Sequence, residues 1–181
     1  MRKVITSTYV TLDGFIDNPH LWSFDYWNDE AAQYANAQLF ASDILLMGRV
    51  TYEGFAAAWP GRAGADDFAD RINAMDKYVV TATLDKADWH NTTIIPAGDL
   101  VADVRRLKEQ PGGDILIYGC GQLTDALREN GLLDEYRLWV HPVVVGEGQR
   151  CFRDGTKARL TLANTQTFAS GVTILTYQPA R

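Results

Sequence analysis

The sequence predicts an α/β fold: a largely parallel sheet with helices on both faces and an antiparallel edge toward the C-terminus. Three observations predict it. Short β-branched runs alternate with helical periodicity up to about residue 130. Beyond that point strand-like runs follow one another with no helix between them. Finally, 46% of the 181 residues are hydrophobic and no linker, internal repeat or low-complexity stretch interrupts them, which fits one domain over residues 1–181 with a sizeable core.

Each element has a local reason. Val4–Val10 is β-branched and reads as a strand, followed by a turn at Thr11-Leu12-Asp13-Gly14 in which Gly14 is free to take positive φ. A loop rich in aromatics, with Asn18-Pro19, runs to Trp27. Asn28 is placed to cap a helix with Asp29 and Glu30 in its first turn and Ala32, Ala35 and Leu39 at helical spacing. Ile44–Met47 is a short buried strand, and a helix begins near Thr51, whose hydroxyl is of the capping type. After a loop over Pro60–Ala65, Asp66 opens a helix with Phe68, Ile72 and Met75 on one face. Lys77–Thr81 and Thr92–Ile95 are strands. Asp99 starts a helix with Leu100, Val104 and Leu107 inward, stopped by Pro111-Gly112-Gly113. Asp114–Tyr118 is a strand, Gly119-Cys120-Gly121 a tight turn, and Gln122–Asn130 a helix closed by Gly131. Glu135–Val145 reads as one long strand in which Pro142 marks a bulge or an edge. Leu160 to Tyr177 is a strand pair turned at Ala169-Ser170-Gly171.

Composition narrows the function classes. The net charge is −6 with both signs scattered, so the clustered positive footprint of a nucleic-acid binder is missing. No apolar run approaches the roughly 18 residues of a membrane span. The opening MRKVITSTYV alternates like a strand and has no signal-peptide core. Two cysteines, Cys120 and Cys151, without a C-x-x-C, indicate neither a disulfide framework nor a zinc site, and a reduced, cytoplasmic setting is the default. His20, His90 and His141 are too dispersed to define a metal site.

In an open α/β sheet, ligands collect beyond the carboxyl ends of the strands. Three such ends carry related residues. At Gly48-Arg49-Val50-Thr51, a glycine admits a phosphate, the first helical N–H groups point at it, and Arg49 can add a bidentate contact. Thr81-Ala82-Thr83 is small and hydroxyl-bearing. Gly119-Cys120-Gly121-Gln122-Leu123 is a second glycine turn into a second helix. Either signal alone has a bland reading, since glycine after a strand is usually a turn and a lone arginine usually a solvated charge. Two such junctions facing one groove are expected to seat the two phosphate regions of one dinucleotide. The ordinary Rossmann fingerprint does not apply, because Thr124 replaces its third glycine and the turn lies late in the chain.

The segments LLMGRVTYEGF, KYVVTATL, ILIYGCGQLTDALRENGLLDEYRLWVHPVVVGEG and TSTYVTLDGFI resemble the dihydrofolate reductase-like fold. More closely they resemble the C-terminal reductase domain of the riboflavin-biosynthesis bifunctional deaminase-reductase and its free-standing relatives. The similarity spans nearly the whole chain in the same order of motifs, and the deaminase half is absent. The resemblance implies a three-layer α/β/α architecture with about eight strands, NADPH as hydride donor, and a homodimer. It places Gly48, Arg49, Val50 and Thr51 on the adenosine-side phosphates, Thr81 and Thr83 at the adenosine pocket, and Gly119, Cys120, Gly121, Gln122 and Leu123 around the pyrophosphate. It makes Thr11, Leu12, Asp13, Gly14, Phe15 and Ile16 a mobile loop near the nicotinamide, and Gly146-Glu147-Gly148 a loop bracing it. Arg49 beside a ribose 2′-phosphate would favour NADPH over NADH.

The substrate side departs from the dihydrofolate pattern. The helical turn that usually carries a carboxylate holds Ala31, Ala32 and Gln33, while Asp29 and Glu30 come earlier, where they ease the helix dipole. Asp13 carries two readings: an orienter of substrate, and a turn-forming aspartate before glycine. Trp22, Phe24, Tyr26 and Trp27 could stack on a flat ring or fill the core or a dimer contact. Arg62 and Arg150 are candidates for a substrate phosphate. The expectation is an NADPH-dependent reductase acting on a heterocyclic or sugar-derived small molecule, similar to 5-amino-6-(5-phosphoribosylamino)uracil reductase. The alternatives are dihydrofolate reductase and a binding protein that holds NADPH without turnover.

Overall fold

The computed structural model describes residues 1–180. It contains an eight-stranded mixed sheet flanked by helices, with strand order β4-β3-β2-β5-β1-β6-β8-β7. The strands are β1 (Val4–Thr11), β2 (Ser42–Gly48), β3 (Asp76–Thr81), β4 (Thr92–Pro96), β5 (Asp114–Tyr118), β6 (Glu135–His141), β7 (Leu160–Thr167) and β8 (Thr173–Pro179). The helices are α1 (Asp29–Phe40), α2 (Arg49–Ala58), α3 (Asp67–Ala74), α4 (Leu100–Glu109) and α5 (Gln122–Glu129). Among the described residues no helix is long and apolar enough to cross a membrane. The chain groups into two compact units, one of Met1–Val4 with Asn36–Tyr118, the other of Ile5–Ala35 with the chain from Gly119 onward.

In the first unit β2 pairs in parallel with both β3 and β5, and β3 in parallel with β4. Parallel strands covered on both faces need continuous apolar runs, and β2 supplies one: Ile44, Leu45, Leu46 and Met47 are all buried. Asp66 caps α3 by accepting from the Ala69 N–H at 2.8 Å. At the other end of α3, the fully buried Lys77 donates to the carbonyls of Asn73 (2.8 Å), Met75 (2.7 Å) and His90 (3.1 Å) and lies 4.4 Å from the Trp89 ring centroid. The Pro111-Gly112-Gly113 stop has a tertiary reason. Asp43 accepts from the Gly113 N–H at 2.6 Å and pairs with Arg2 and Arg71, and a Cβ on Gly113 would stand 2.6 Å from the Ala41 carbonyl.

In the second unit β1 and β6 are parallel in a register from Ile5↔Glu135 to Thr11↔His141. β8 runs antiparallel to β6 and β7 antiparallel to β8, which gives the expected antiparallel edge. Trp139 anchors the core: its Nε1 donates to Ser7 Oγ at 3.0 Å, and Tyr9, Tyr34 and Phe168 pack against its ring. Asn28 caps α1 through Oδ1 to the Ala31 N–H, and Glu30 accepts from the Ala169 N–H in the β7–β8 turn at 2.6 Å.

Several boundaries differ from the sequence reading by a residue or more, and two of them bear on the site. The strand expected to run to Val145 ends at His141, and Pro142 stands outside it. Proline cannot donate to a ladder, the Val143 N–H turns back to the His141 carbonyl, and the residues after it bond to the first loop instead. α2 starts at Arg49 rather than near Thr51, with extended Gly48 as its N-cap and no side chain capping it.

Candidate functional site

In the first unit, the carboxyl ends of β2 and β3 lie side by side, with Gly48 opposite Val80. Gly48 has φ −77° and ψ 169°, which any residue can adopt, and a Cβ there would meet no protein atom within 4 Å. Neither conformation nor internal packing requires glycine at this position. The first amides of α2 lack intrahelical partners and carry the positive end of the helix dipole. Val50, in this first turn, is 84% exposed, large for an apolar side chain with nothing covering it. Arg49 reaches across: its Nε donates to Glu53 at 2.8 Å and its Nη1 to Thr83 Oγ1 at 2.5 Å. The buried Thr81 hydroxyl accepts from the N–H groups of Thr83 and Leu84, both at 3.1 Å, and so shapes the turn that presents Thr83. Gly48, Arg49, Thr81 and Thr83 are thereby brought together around one exposed guanidinium. Thr51 is half-buried in the third position of α2 and does not cap it.

In the second unit, Gly119 takes φ +95°, a conformation that favours glycine. Its N–H donates to the Ser7 carbonyl at 3.0 Å and its carbonyl accepts from Thr6 Oγ1 at 2.5 Å, so β1 holds the turn in place. Gly121, extended, has no protein atom within 4 Å of a would-be Cβ. Thr124 Oγ1 accepts from the Gly121 N–H and donates to the Gly121 carbonyl, both at 2.9 Å. The residue that breaks the Rossmann fingerprint is therefore the one that closes this turn. Gln122 is exposed and Leu123 half-buried at the start of α5.

The first loop, Thr11–Ile16, is tied to the segment after β6 by main-chain bonds. Leu12 N–H donates to Val143 O (2.8 Å), Ile16 N–H to Gln149 O (2.9 Å) and Cys151 N–H to Gly14 O (2.9 Å), and Phe15 bridges Arg150. Asp13 accepts from Thr11 Oγ1 at 2.7 Å and from the N–H groups of Gly146 (2.8 Å) and Val145 (3.2 Å). The Thr11 hydroxyl first, then these amides, hold its carboxyl below the usual carboxylate range. Asp17 likewise accepts from the Gln149 N–H at 3.0 Å, and Gly148 has no room for a Cβ, which would stand 2.3 Å from Asp17 Oδ1. Bracing of the first loop thus runs through backbone amides; Glu147 is exposed.

Three groupings escaped sequence reasoning because each joins distant segments. His141 is buried, bonded through Nδ1 to the Trp139 carbonyl at 2.8 Å, and ringed by Tyr9, Trp22 and Tyr26 at centroid distances of 5.1, 5.1 and 5.9 Å. Burial pushes its pKa down, so the ring is neutral near pH 7. Trp22 and Tyr26 are therefore half-buried against a histidine, whereas Phe24 and Trp27 are exposed. The sulfurs of Cys120 and Cys151 touch at 3.5 Å. A polar cleft of about 540 Å³ is lined by Asp125, Arg128, Arg153 and Lys157, with Arg153 Nε 2.6 Å from Asp125. Of the two arginines considered for a substrate phosphate, Arg62 lies over the Trp59 ring and Arg150 over the Phe15 ring, both with exposed side chains. Among the described residues no group of three or more His, Cys, Asp or Glu side chains is arranged to hold a metal ion.

Comparison with known proteins places this geometry in context. The model of a family described as the RibD C-terminal domain matches residues 2–174. The Bacillus subtilis protein YyaP is 32% identical over 180 residues, which is 97% of this chain and 94% of YyaP. YwjB of the same organism is 28% identical over 175 residues, 94% of this chain and 95% of YwjB. A Shewanella sp. PV-4 protein provisionally assigned to riboflavin biosynthesis shares the fold with a TM-score of 0.74 at 18% identity, covering 99% of each chain. The Thermotoga maritima diaminohydroxyphosphoribosylaminopyrimidine deaminase/5-amino-6-(5-phosphoribosylamino)uracil reductase shares it with a TM-score of 0.68 at 12% identity, over 99% of this chain and 57% of that one.

Proposed function

The chain belongs to the RibD C-terminal domain family, and from that premise we propose that it is an NADPH-dependent reductase. It would pass hydride to a C=N or C=O bond of a heterocyclic or sugar-derived substrate, in the manner of 5-amino-6-(5-phosphoribosylamino)uracil reductase. The observation that carries this reading is the β2–α2 junction: an uncapped helix start, a glycine with no internal reason to be one, and Arg49 held by Thr83. That set suits a phosphate ester next to a ribose, with Arg49 as the donor to the 2′-phosphate. In the second unit, the Gly119–Leu123 turn offers main-chain amides to a pyrophosphate.

The reduced nicotinamide, when bound, supplies the hydride. The protein's part is to hold and orient. Asp13, kept ionised by Thr11 and the 145–146 amides, is a brace rather than a proton donor. A dihydrofolate reductase is a weaker reading. Ala31 is buried and Gln33 exposed where that enzyme needs a carboxylate, and Glu30 is bonded to Ala169. A protein that binds NADPH without turnover is separated by measurement: loss of reduced-nicotinamide absorbance with the uracil ribosylamine or dihydrofolate as acceptor marks an enzyme.

Fluorescence titration tests the cofactor seat. Arg49→Ala is expected to weaken NADPH binding by about tenfold, roughly 1.4 kcal/mol, and to leave NADH affinity little changed. An equal loss for both cofactors would remove Arg49 from the 2′-phosphate and leave the NADPH assignment without its main support.

A further inference from the structure

We propose that Cys120 and Cys151 are a modification site: a dithiol that oxidises reversibly to a disulfide within the folded protein, Cys120 as the attacking sulfur and Cys151 as the resolving one. They are the chain's two cysteines, one in the β5–α5 turn, the other after the segment that braces the first loop. Their sulfurs are 3.5 Å apart, van der Waals contact, with Cys151 donating its S–H to Cys120. A disulfide of about 2 Å requires them to close by about 1.5 Å.

The two sulfurs are not equivalent. Cys120 is half-buried and lies 3.4 Å from Thr8 Oγ1. Cys151 is only 7% exposed. The Cys151 S–H bond pulls the Cys120 thiol below its ordinary range, and the same contact, together with burial, pushes Cys151 up. A more accessible, more acidic thiol touching a buried one is the arrangement of a redox-sensing pair. The nearby Asp125 carboxylate opposes a Cys120 thiolate, but Arg153 at 2.6 Å and Arg128 at 3.5 Å pair with it.

The surroundings allow the movement. Gly119 is held to β1, so the approach falls to the Cys120 side chain, and the glycines on either side add no side chain to crowd its rotation. Cys151 is the fixed end, its N–H bonded to the Gly14 carbonyl at 2.9 Å. With hydrogen peroxide as oxidant, the Cys120 thiolate attacks one oxygen, the O–O bond breaks, and the departing hydroxide takes a proton to leave as water. Cys120 is then a sulfenic acid. The Cys151 sulfur attacks it, the S–O bond breaks, and the hydroxide leaves as water with the Cys151 proton. Overall, two thiols lose two electrons and two protons to peroxide. A low-molecular-weight disulfide achieves the same oxidation through a mixed disulfide on Cys120.

The test is peptide mapping by mass spectrometry of the full chain treated in its native state with hydrogen peroxide, then alkylated. A Cys120–Cys151 linked peptide lighter by two hydrogens, converted by dithiothreitol to two alkylatable thiols, is the expected result. In Cys151→Ser the oxidation should stop at a Cys120 sulfenic acid that dimedone traps. In Cys120→Ser, alkylation of the folded protein at Cys151 should be at least about tenfold slower than alkylation of Cys120 in Cys151→Ser. Sulfinic acid on both thiols of the wild type without a linked peptide, or Cys151 reacting before Cys120, would overturn the proposal. If a serine variant fails to fold, as judged by circular dichroism, the wild-type peptide map decides.

Discussion

Lys77 brings an ammonium into the interior of the first unit with three carbonyls and the Trp89 ring around it and, among the described residues, no carboxylate in contact. Burial pulls its pKa down to about 8, an effect that Asp76 only partly offsets. An unfolded lysine near 10.5 binds its proton more tightly, so between about pH 8 and about pH 10.5 the unfolded chain carries the extra proton. Stability due to this group is therefore lowest below pH 8 and rises with pH across that window. Compared with Lys77→Met by urea denaturation, the wild type should gain on the order of 3 kcal/mol over the window. A pH-independent difference between the two proteins would show that Lys77 keeps its charge. None of this was legible in the sequence, where Lys77 reads as the polar first residue of a strand. Its partners Asn73 and Met75 are local, but His90 arrives from the other side of a loop.

At the scale of elements, the first loop depends on a second one. Asp13, Asp17 and Gly148 form a lock in which carboxylates hold amides and a glycine at φ +134° lets the chains approach. Gly148→Ala forces both a strained φ and a clash with Asp17, and should cost about 1–3 kcal/mol. Hydrogen exchange at Leu12–Ile16 should speed up before the rest of the protein responds. Because the folded pKa of Asp13 is depressed, its bracing is complete above the ordinary carboxylate range near pH 4 and is lost as pH falls through the lower folded value. Asp13→Asn should abolish that acid-side dependence of exchange at Val145 and Gly146. Most elements could be read from local chemistry: the caps at Asn28 and Asp66 are side chains bonding amides three residues on, and β2 is an apolar run. The end of β6 could not, because the groups that receive the amides of Val145, Gly146 and Gln149 lie some 130 positions earlier. The same limit applies to the site. Gly48, Arg49 and the Gly119 turn announce themselves locally, whereas the pairing of Cys120 with Cys151 and the ring of aromatics on His141 exist only once the chain has folded.

For the whole molecule, strand order matters more than any single contact. β1 pairs in parallel with β6, so Ile5 meets Glu135 and Thr11 meets His141. Three of the four aromatic and hydroxyl partners of the Trp139 core, Ser7, Tyr9 and Tyr34, come from the N-terminal part of the chain. A chain ending at Asn130 retains every helix but lacks β6, β7 and β8. It should show helical circular dichroism without a cooperative urea transition, whereas a sharp transition in that fragment would mean that β1 does not require β6.

The β1–β6 register has a further consequence during synthesis. On the ribosome, β1 emerges long before β6, and until β6 follows, the edge of β1 that will pair with it stays open. Pairings that join such remote positions are slow and expose edges to association. Nascent chains stalled ahead of Glu135 should therefore engage a chaperone such as trigger factor, and release should coincide with the emergence of β8 from the exit tunnel.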